Sequence, residues 1–432
     1  MSHADRDPVI NNLSAPSPHA KTPSLATLRT PRLRILAVRY LLLGTHTYAE
    51  SDLRQLITLA RRGNHVTAFV ARTSPRPPTY LEGDNFELRT VWIRRQTPIL
   101  HLLYFGICAS WQVIKNLSAL DCLILDAMST ALLLPTLVMM GLIGRGSRPA
   151  MLLRVETNPV ETGNPIRNFL LTICYSASIR FAAQKFDKVL FITPMLASYY
   201  DRFKVPRAKI SIWPSSVDLA VFRPRSPSAV SELKKTLNPR NQLVVLYHGT
   251  LTKTRGILET VEAFRMLHET GFEAKLVLLG NGPIREQLIE YVRSSGLQDS
   301  VLIPNPTSSP REVANYIAIS DVEIVPLPDH PWWRYQSPIK ILESLAMNKP
   351  LIASNIPAIR YVVGDSKIIV YLEECTPRAI AKAVRHFSEI KENFDLDAGR
   401  KIASDYSVDS VSRTIEQNIL SAIKNKSRPN NR

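Results

Sequence analysis

Short apolar runs at residues 33–38, 65–70, 86–93, 122–125, 151–155, 189–192 and 210–213 recur through the first half of the chain. A second series follows at 243–247, 274–279, 301–303, 322–325, 351–353 and 368–370. Helical stretches lie between many of them. In residues 49–62, Leu53, Leu56, Ile57 and Ala60 share one helical face, and Gly63 and Asn64 close the helix before the next run. Each strand–helix–strand step is a βαβ unit, and a succession of such units builds an open parallel sheet. The chain is therefore read as α/β, with two doubly wound parallel-sheet domains and a cleft expected between the carboxyl ends of their strands. A length of 432 residues accommodates both. Polar, proline-rich stretches set the expected boundaries: a disordered tail without a secretory signal (1–30), a first domain (31–224), a linker (225–241) and a second domain (242–406). A helix at 407–425 is expected to pack back toward the first domain, ahead of a short tail (426–432).

The formal net charge of +17 is unevenly placed. Residues 29–235 carry 28 Lys and Arg against 13 Asp and Glu, whereas residues 236–432 carry 24 against 22. The basic first half points to an anionic partner, either a membrane surface or a phosphorylated substrate. No zinc-finger, RNP-type or aromatic-basic pattern speaks for nucleic acid. Cys108, Cys122, Cys174 and Cys375 are scattered, with no Cys-x-x-Cys pair. Neither a disulfide framework nor a metal site is indicated, and reduced core thiols in a cytoplasmic protein are expected. Two uncharged runs, 96–114 and 127–144, reach the length of a membrane span. The second follows a strand directly and contains Pro135, so a buried helix of an α/β unit is expected there. His101, Ser110 and Gln112 in the first fit a half-buried or membrane-contacting helix.

Candidate site residues fall in loops at the expected strand ends. In 248–256, Lys253 and Arg255 precede a helix N-terminus, where cations and free N–H groups can meet a diphosphate; a solvated basic turn is the plain alternative. Gly280-Asn-Gly-Pro283 lets a ligand approach the backbone closely, or makes an ordinary tight turn. It is no dinucleotide fingerprint, because Arg285 stands where the third glycine would be. Residues 337–350 read as a helix capped by Ser337 with Pro338 at its first position, and with Ile341, Leu342, Leu345 and Ala346 facing a core. Lys340 and Glu343 fall on one side of it. A helix start flanked by a cation and a carboxylate suits a phosphate plus a hydroxylated ring; a surface helix with a weak ion pair is the alternative. In the first half, Gly44, Thr45 and His46 could meet an acceptor or a phosphate. Glu156 stands where a cleft would lie, with Arg154 and Glu161 near enough for a structural ion pair.

Together these segments resemble the retaining glycosyltransferases of family 4, which have the GT-B fold of two Rossmann-like domains facing across a cleft. The resemblance covers roughly residues 32–425 and is stronger in the second half. It is carried by Pro214-Ser-Ser-Val-Asp218 with Phe222-Arg-Pro224, by Gly249 through Arg255-Gly256, and by Leu279-Gly-Asn-Gly-Pro283. Ser320-Asp-Val-Glu-Ile-Val-Pro326 and Ser337-Pro-Ile-Lys340 leading to Glu343 complete it.

The resemblance implies transfer of a sugar from a UDP- or GDP-linked donor to an acceptor, with no metal or other cofactor and with retained configuration. Glu343 would accept hydrogen bonds from the ribose hydroxyls, and Arg255 would contact the diphosphate. Gly249, Thr250, Lys253 and Gly256 belong to the loop around that diphosphate. Gly280, Gly282 and Pro283 would line the pocket, with Ile303 and Pro304 against the base. Ser337, Pro338 and Ile339 match the helix start that meets phosphate and sugar, and Lys340 lies beside them. Gly44, Thr45 and Glu156 would face the reacting centre from the first domain. The pattern also departs from the family. Tyr335 stands where a glutamate is frequent, Thr250 where a basic residue is frequent, and Glu156 about where a histidine is common; the first-domain double glycine is reduced to Gly44. A sugar-nucleotide epimerase of related shape, or an inactive scaffold, is the alternative. A lipid-linked or membrane-proximal acceptor is expected from the basic first half, with peripheral placement at a cytoplasmic membrane face.

Overall fold

The computed structural model describes residues 32–43, 47–73, 83–93, 98–142, 148–158, 165–237, 242–307 and 309–426. The tail expected at 1–30 and all but Lys426 of the tail expected at 426–432, together with Gly44, Thr45, His46 and Glu161, lie outside the described residues. The chain forms two compact units, Met1–Pro214 with Val408–Arg432, and Ser215–Ser407.

In the first unit, β1 (Arg34–Leu43), β2 (His65–Arg72), β3 (Phe86–Trp92), β4 (Cys122–Asp126), β5 (Ala150–Val155), β6 (Lys188–Phe191) and β7 (Ile210–Ile212) form one sheet. Its order is β3-β2-β1-β4-β5-β6-β7, and every pairing is parallel. The connecting helices are α1 (Thr47–Arg61), α2 (Pro98–Asn116), α3 (Ala127–Leu132), α4 (Leu134–Leu142), α5 (Pro165–Lys185) and α6 (Pro194–Tyr199). Right-handed crossovers running outward in opposite directions from β1 and β4 put α1 on one face and α3 to α5 on the other. The C-terminal helix Val408–Lys426 joins α1, burying Val411, Ile415, Ile419 and Ala422 against Leu53, Leu56 and Ala60. Its Glu416 fixes the register. Arg62 Nη2 donates to Glu416 Oε2 at 2.7 Å, and Asn64 Nδ2 donates to Oε1 at 2.8 Å.

The second unit holds β8 (Leu243–His248), β9 (Ala274–Leu279), β10 (Val301–Leu302), β11 (Val322–Val325), β12 (Leu351–Ser354) and β13 (Ile369–Leu372). The sheet order is β10-β9-β8-β11-β12-β13, again all parallel. Its helices are α7 (Pro227–Leu237), α8 (Ile257–Glu269), α9 (Arg285–Ser294), α10 (Pro310–Ile319), α11 (Pro331–Arg334), α12 (Ile339–Ala346), α13 (Pro357–Val363), α14 (Pro377–Ile390) and α15 (Leu396–Asp405). Each sheet reverses its winding once, between β1 and β4 and between β8 and β11, and such switch points open a crevice at the strand ends.

The structure corrects several expectations. The units divide at Pro214 rather than after Pro224, because Val217 and Phe222 are buried in the second core and Val217 N donates to Tyr406 O at 2.9 Å. The expected linker contains α7, held by an ion pair from Lys234 Nζ to Asp321 Oδ1 at 3.0 Å. Residues 127–144 hold two short helices rather than one buried helix, and Val138 and Met139 are exposed. No helix among the described residues is long and apolar enough to cross a membrane. Of the four thiols only Cys122 is fully buried.

Glu416→Ala removes the carboxylate acceptor of Arg62 and one of the two acceptors of Asn64 Nδ2, and should cost about 2 kcal/mol, the range for unpairing hydrogen bonds to a buried charge. Chemical denaturation reads this loss as a lower midpoint with an unchanged m-value.

Candidate active site

The crevice of the second unit is built around a histidine absent from the sequence-derived site. His248 is the last residue of β8, and Glu323 lies beside it on β11 at the switch point. His248 Nδ1 sits 2.9 Å from Glu323 Oε1, while Nε2 sits 2.7 Å from Glu343 Oε2 on α12. Glu323 is fully buried, so its charge needs a partner within reach. Burial opposes protonation of the imidazole, but the Glu323 charge and the hydrogen bonds to Glu323 and Glu343 outweigh it, raising the His248 pKa to about 9. Glu343 is thus held by a cation from below. A charged residue inside the apolar run 322–325 was the available sequence signal for this arrangement.

Lys340 does not pair with Glu343, contrary to the weak surface ion pair considered above. The side chain turns inward, with Nζ 3.7 Å above the Tyr247 ring and without a hydrogen-bond partner among the described residues. Burial and the nearby Arg255 charge lower its pKa to about 7, against the pull of Glu323 and Glu343. The Lys340 amine therefore lies beside Gly249, at the start of the 248–256 loop, poised between its charged and neutral forms near neutral pH. The Arg255 guanidinium stacks on Trp333 at 4.7 Å, and Trp333 Nε1 donates to Thr254 O at 2.8 Å. Lys253 is exposed. Thr250 presents its carbonyl to the Tyr247 hydroxyl at 3.0 Å.

Two glycine assignments change. A Cβ on Gly280 would strike the Gly249 carbonyl oxygen, and one on Gly282 would strike that of Leu251. These glycines admit the neighbouring loop, which is joined to them by Gly249 N to Leu279 O and Leu251 N to Asn281 O, both 2.9 Å. Close approach here is between backbones. Pro283 follows in the same turn. Half-buried Ile303 packs on the core, and the Pro304 carbonyl accepts from Arg285 Nη2 at 3.2 Å.

The α12 start also differs from expectation. Ile339 is its first residue, Pro338 occupies the cap position with extended geometry, and no side chain caps the helix. Ser337 is buried, and its carbonyl accepts from Ser215 Oγ at 3.2 Å. Proline's ring holds the chain extended at the cap, so Ser337 is one residue too early to reach the first helical N–H groups. Tyr335 is half-buried between α11 and α12.

In the first unit, Glu156 belongs to a buried charge network at the β1/β4 switch point. Arg39 and Arg154 both pair with it, Arg154 Nε at 3.0 Å, and Arg39 Nη1 also lies 2.8 Å from Asp52 Oδ2. Arg154 stacks on Trp213 at 4.1 Å. The ion-pair alternative for Glu156 is therefore the arrangement present, with Arg39 and Arg154 as its partners, Asp52 as a second acceptor for both arginines, and Glu161 outside the described residues.

Gly256 and Gly271 share the same left-handed φ of 69°, but an added Cβ meets Pro326 O and Cys375 Sγ at Gly256 and nothing at Gly271. Gly271→Ala should cost about 1 kcal/mol and Gly256→Ala at least about twice that. Paired thermal melts test the difference.

Residues 231–400 match the family glycosyl transferases group 1. The chain is similar to the GDP-mannose-dependent alpha-(1-6)-phosphatidylinositol dimannoside mannosyltransferase of Mycobacterium tuberculosis, 27% identical over 210 residues, 48% of this chain and 51% of that one. It is also similar to the alpha-D-kanosaminyltransferase of Streptomyces kanamyceticus, 24% identical over 185 residues, 42% and 46% of the two chains. The chain spans about half the length of the curated relatives it matches. Among solved structures, Anabaena HepE in complex with UDP superposes with a TM-score of 0.68 at 12% identity, covering 90% of this chain and 100% of that one. Sucrose-phosphate synthase from Thermosynechococcus elongatus gives 0.69 at 16%, covering 89% and 98%. The chain has the two Rossmann-like units of the GT-B fold, and its second unit carries a segment matching glycosyl transferases group 1.

Proposed function

We propose that this chain is a retaining glycosyltransferase of family 4 that moves a sugar from a UDP- or GDP-linked donor to a lipid-linked or membrane-proximal acceptor at a cytoplasmic membrane face. The observation that carries this reading is the grouping of Glu343, locked by His248, with the cations Lys340 and Arg255 at one switch point. Structural neighbours support the donor class, since HepE structures hold UDP and UDP-glucose. In this reading Glu343 accepts the ribose hydroxyls, and a carboxylate already fixed by His248 loses little freedom when it does so. Arg255 and Lys340 face the diphosphate with the Gly249, Thr250, Lys253 and Gly256 loop, so protein cations rather than a cofactor meet the charge that grows on the leaving group. Ile303 and Pro304 border the base. Ser337, Pro338 and Ile339 present backbone to the phosphate, and Tyr335 stands toward the sugar.

A thermal-shift panel of UDP-, GDP- and ADP-sugars tests the donor class, because a ligand at 100 times its Kd stabilises the fold by about 2.7 kcal/mol. Glu343→Ala should lower donor kcat/KM about 100-fold, the equivalent of two charge-assisted hydrogen bonds, and Arg255→Ala should lower kcat more than it raises KM. Intact turnover in both would overturn the assignment, as would epimerised donor released without an acceptor. The raised His248 pKa fixes the sign of a pH effect: its stabilisation is complete below about 6.5 and is lost as pH rises through about 9. Donor KM should climb over that interval in the parent protein, and His248→Gln should keep only the earlier part of the rise, which Lys340 contributes as it loses its charge near its pKa of about 7.

A further inference from the structure

The first unit exposes an apolar surface that its own fold leaves uncovered. Among the described residues, twelve of the sixteen exposed large hydrophobic side chains lie on α2, α4 and α5. On α2, Leu103, Ile107 and Trp111 follow one another at helical spacing, with Ile107 69% exposed and Trp111 64% exposed. The opposite side of that helix holds Phe105, Ala109 and Val113, all fully buried. On α5, Ile166, Phe169 and Leu170 make a second outward stripe, with Ile166 71% exposed. Both helices therefore present apolar residues in two directions, and only one direction is satisfied by the core.

The stripes belong to one helix layer. α3 contacts α2, α4 and α5, and hydrogen bonds tie the layer together, from Thr136 to Ser110 Oγ at 2.8 Å and from Ser178 Oγ to Ala127 O at 2.6 Å. Its charge is of one sign. α2, α3, α4 and α5 contain no Asp or Glu and carry Lys115, Arg167, Arg180 and Lys185. Outward apolar stripes concentrated on the helices of one layer mark an interaction site. Helices whose own charges are all positive complement an anionic surface, whereas a second copy of the same face would oppose like charges. None of these helices is long and apolar enough to cross a bilayer, so the suited geometry is insertion of the outward stripes at the headgroup boundary.

We propose that the α2–α4–α5 face is a monotopic docking surface for anionic lipid, seated by the Leu103–Ile107–Trp111 and Ile166–Phe169–Leu170 stripes and oriented by the flanking cations. This proposal does not depend on the donor reading. It gives a physical location to the membrane contact expected from the overall charge, and it separates apolar insertion from electrostatic attraction.

The test is flotation of the full chain with vesicles of phosphatidylglycerol and phosphatidylcholine, and with phosphatidylcholine alone. The anionic vesicles should bind the protein, and salt should weaken the association without abolishing it, because insertion adds to the screened attraction. Ile107→Glu with Trp111→Glu, and separately Phe169→Glu with Leu170→Glu, should each lower partitioning about tenfold or more. These side chains are exposed, so thermal melts and donor-induced shifts should stay at parental values. Absence of vesicle binding, or binding insensitive to both double substitutions, would overturn the proposal. So would a stable dimer that the same substitutions dissociate, which would make the face an interface between copies. Loss of donor binding in an otherwise vesicle-competent protein would count against the donor reading alone.

Discussion

Glu323 places a carboxylate inside an apolar strand at the point where the second sheet reverses its winding. A buried charge of this kind demands a partner, and the adjacent β8 ends in His248 at the only distance that serves it. The imidazole then has a second nitrogen to place, and Glu343 takes it. The consequence is a carboxylate whose position is fixed through a cation to the sheet itself rather than by its own short helix. Lys340, one turn earlier, is pressed against Tyr247 by the same packing and kept close to neutrality in its titration. A site assembled in this way has its charges set before any ligand arrives, which is the condition for stabilising developing charge without reorganisation.

The first unit repeats the theme with a different outcome. At its own switch point Arg39 and Arg154 pair with Asp52 and Glu156, Asp126 lies 3.6 Å from Arg39 Nε, and Trp213 stacks on Arg154. Every carboxylate of the network has an arginine, so the group holds β1, β4, β5 and α1 together. The second unit's cluster is open, because among the described residues Lys340 has no hydrogen-bond partner and Arg255 has an aromatic face in place of a carboxylate. Equivalent topology thus yields a structural clamp in one unit and a charge-bearing crevice in the other.

Most of the fold was legible in the sequence, since strands buried on both faces must be apolar and their connecting helices amphipathic. The same rule located Arg255, Lys340 and Glu343 at strand ends. Other features were hidden for identifiable reasons. Gly280 and Gly282 look alike whether they admit a ligand or a neighbouring loop, and only the position of the Gly249 and Leu251 carbonyls distinguishes the two. Ser337 reads as a cap because its type suits one, but proline's fixed geometry moves the helix start beyond its reach. The division at Pro214 depended on where Val217 and Phe222 are buried, which periodicity does not report.

The sequence by itself determined that this chain makes two parallel α/β units, because the alternation of apolar strands and amphipathic helices is a local property of consecutive residues. It also determined the chemistry available at the second switch point, since residue type and order are enough to set one cation in the 248–256 loop and a second cation with a carboxylate at the start of a helix. The tertiary structure alone decided which of these groups meet. His248 joins Glu343 to Glu323 across 95 and 75 residues of chain, Lys340 turns from Glu343 to Tyr247, and the α2 and α5 stripes face outward. The reason is physical: periodicity shows that a side chain is apolar or charged, but its partner is selected by the packing of elements distant in sequence, where burial makes an unpaired charge costly.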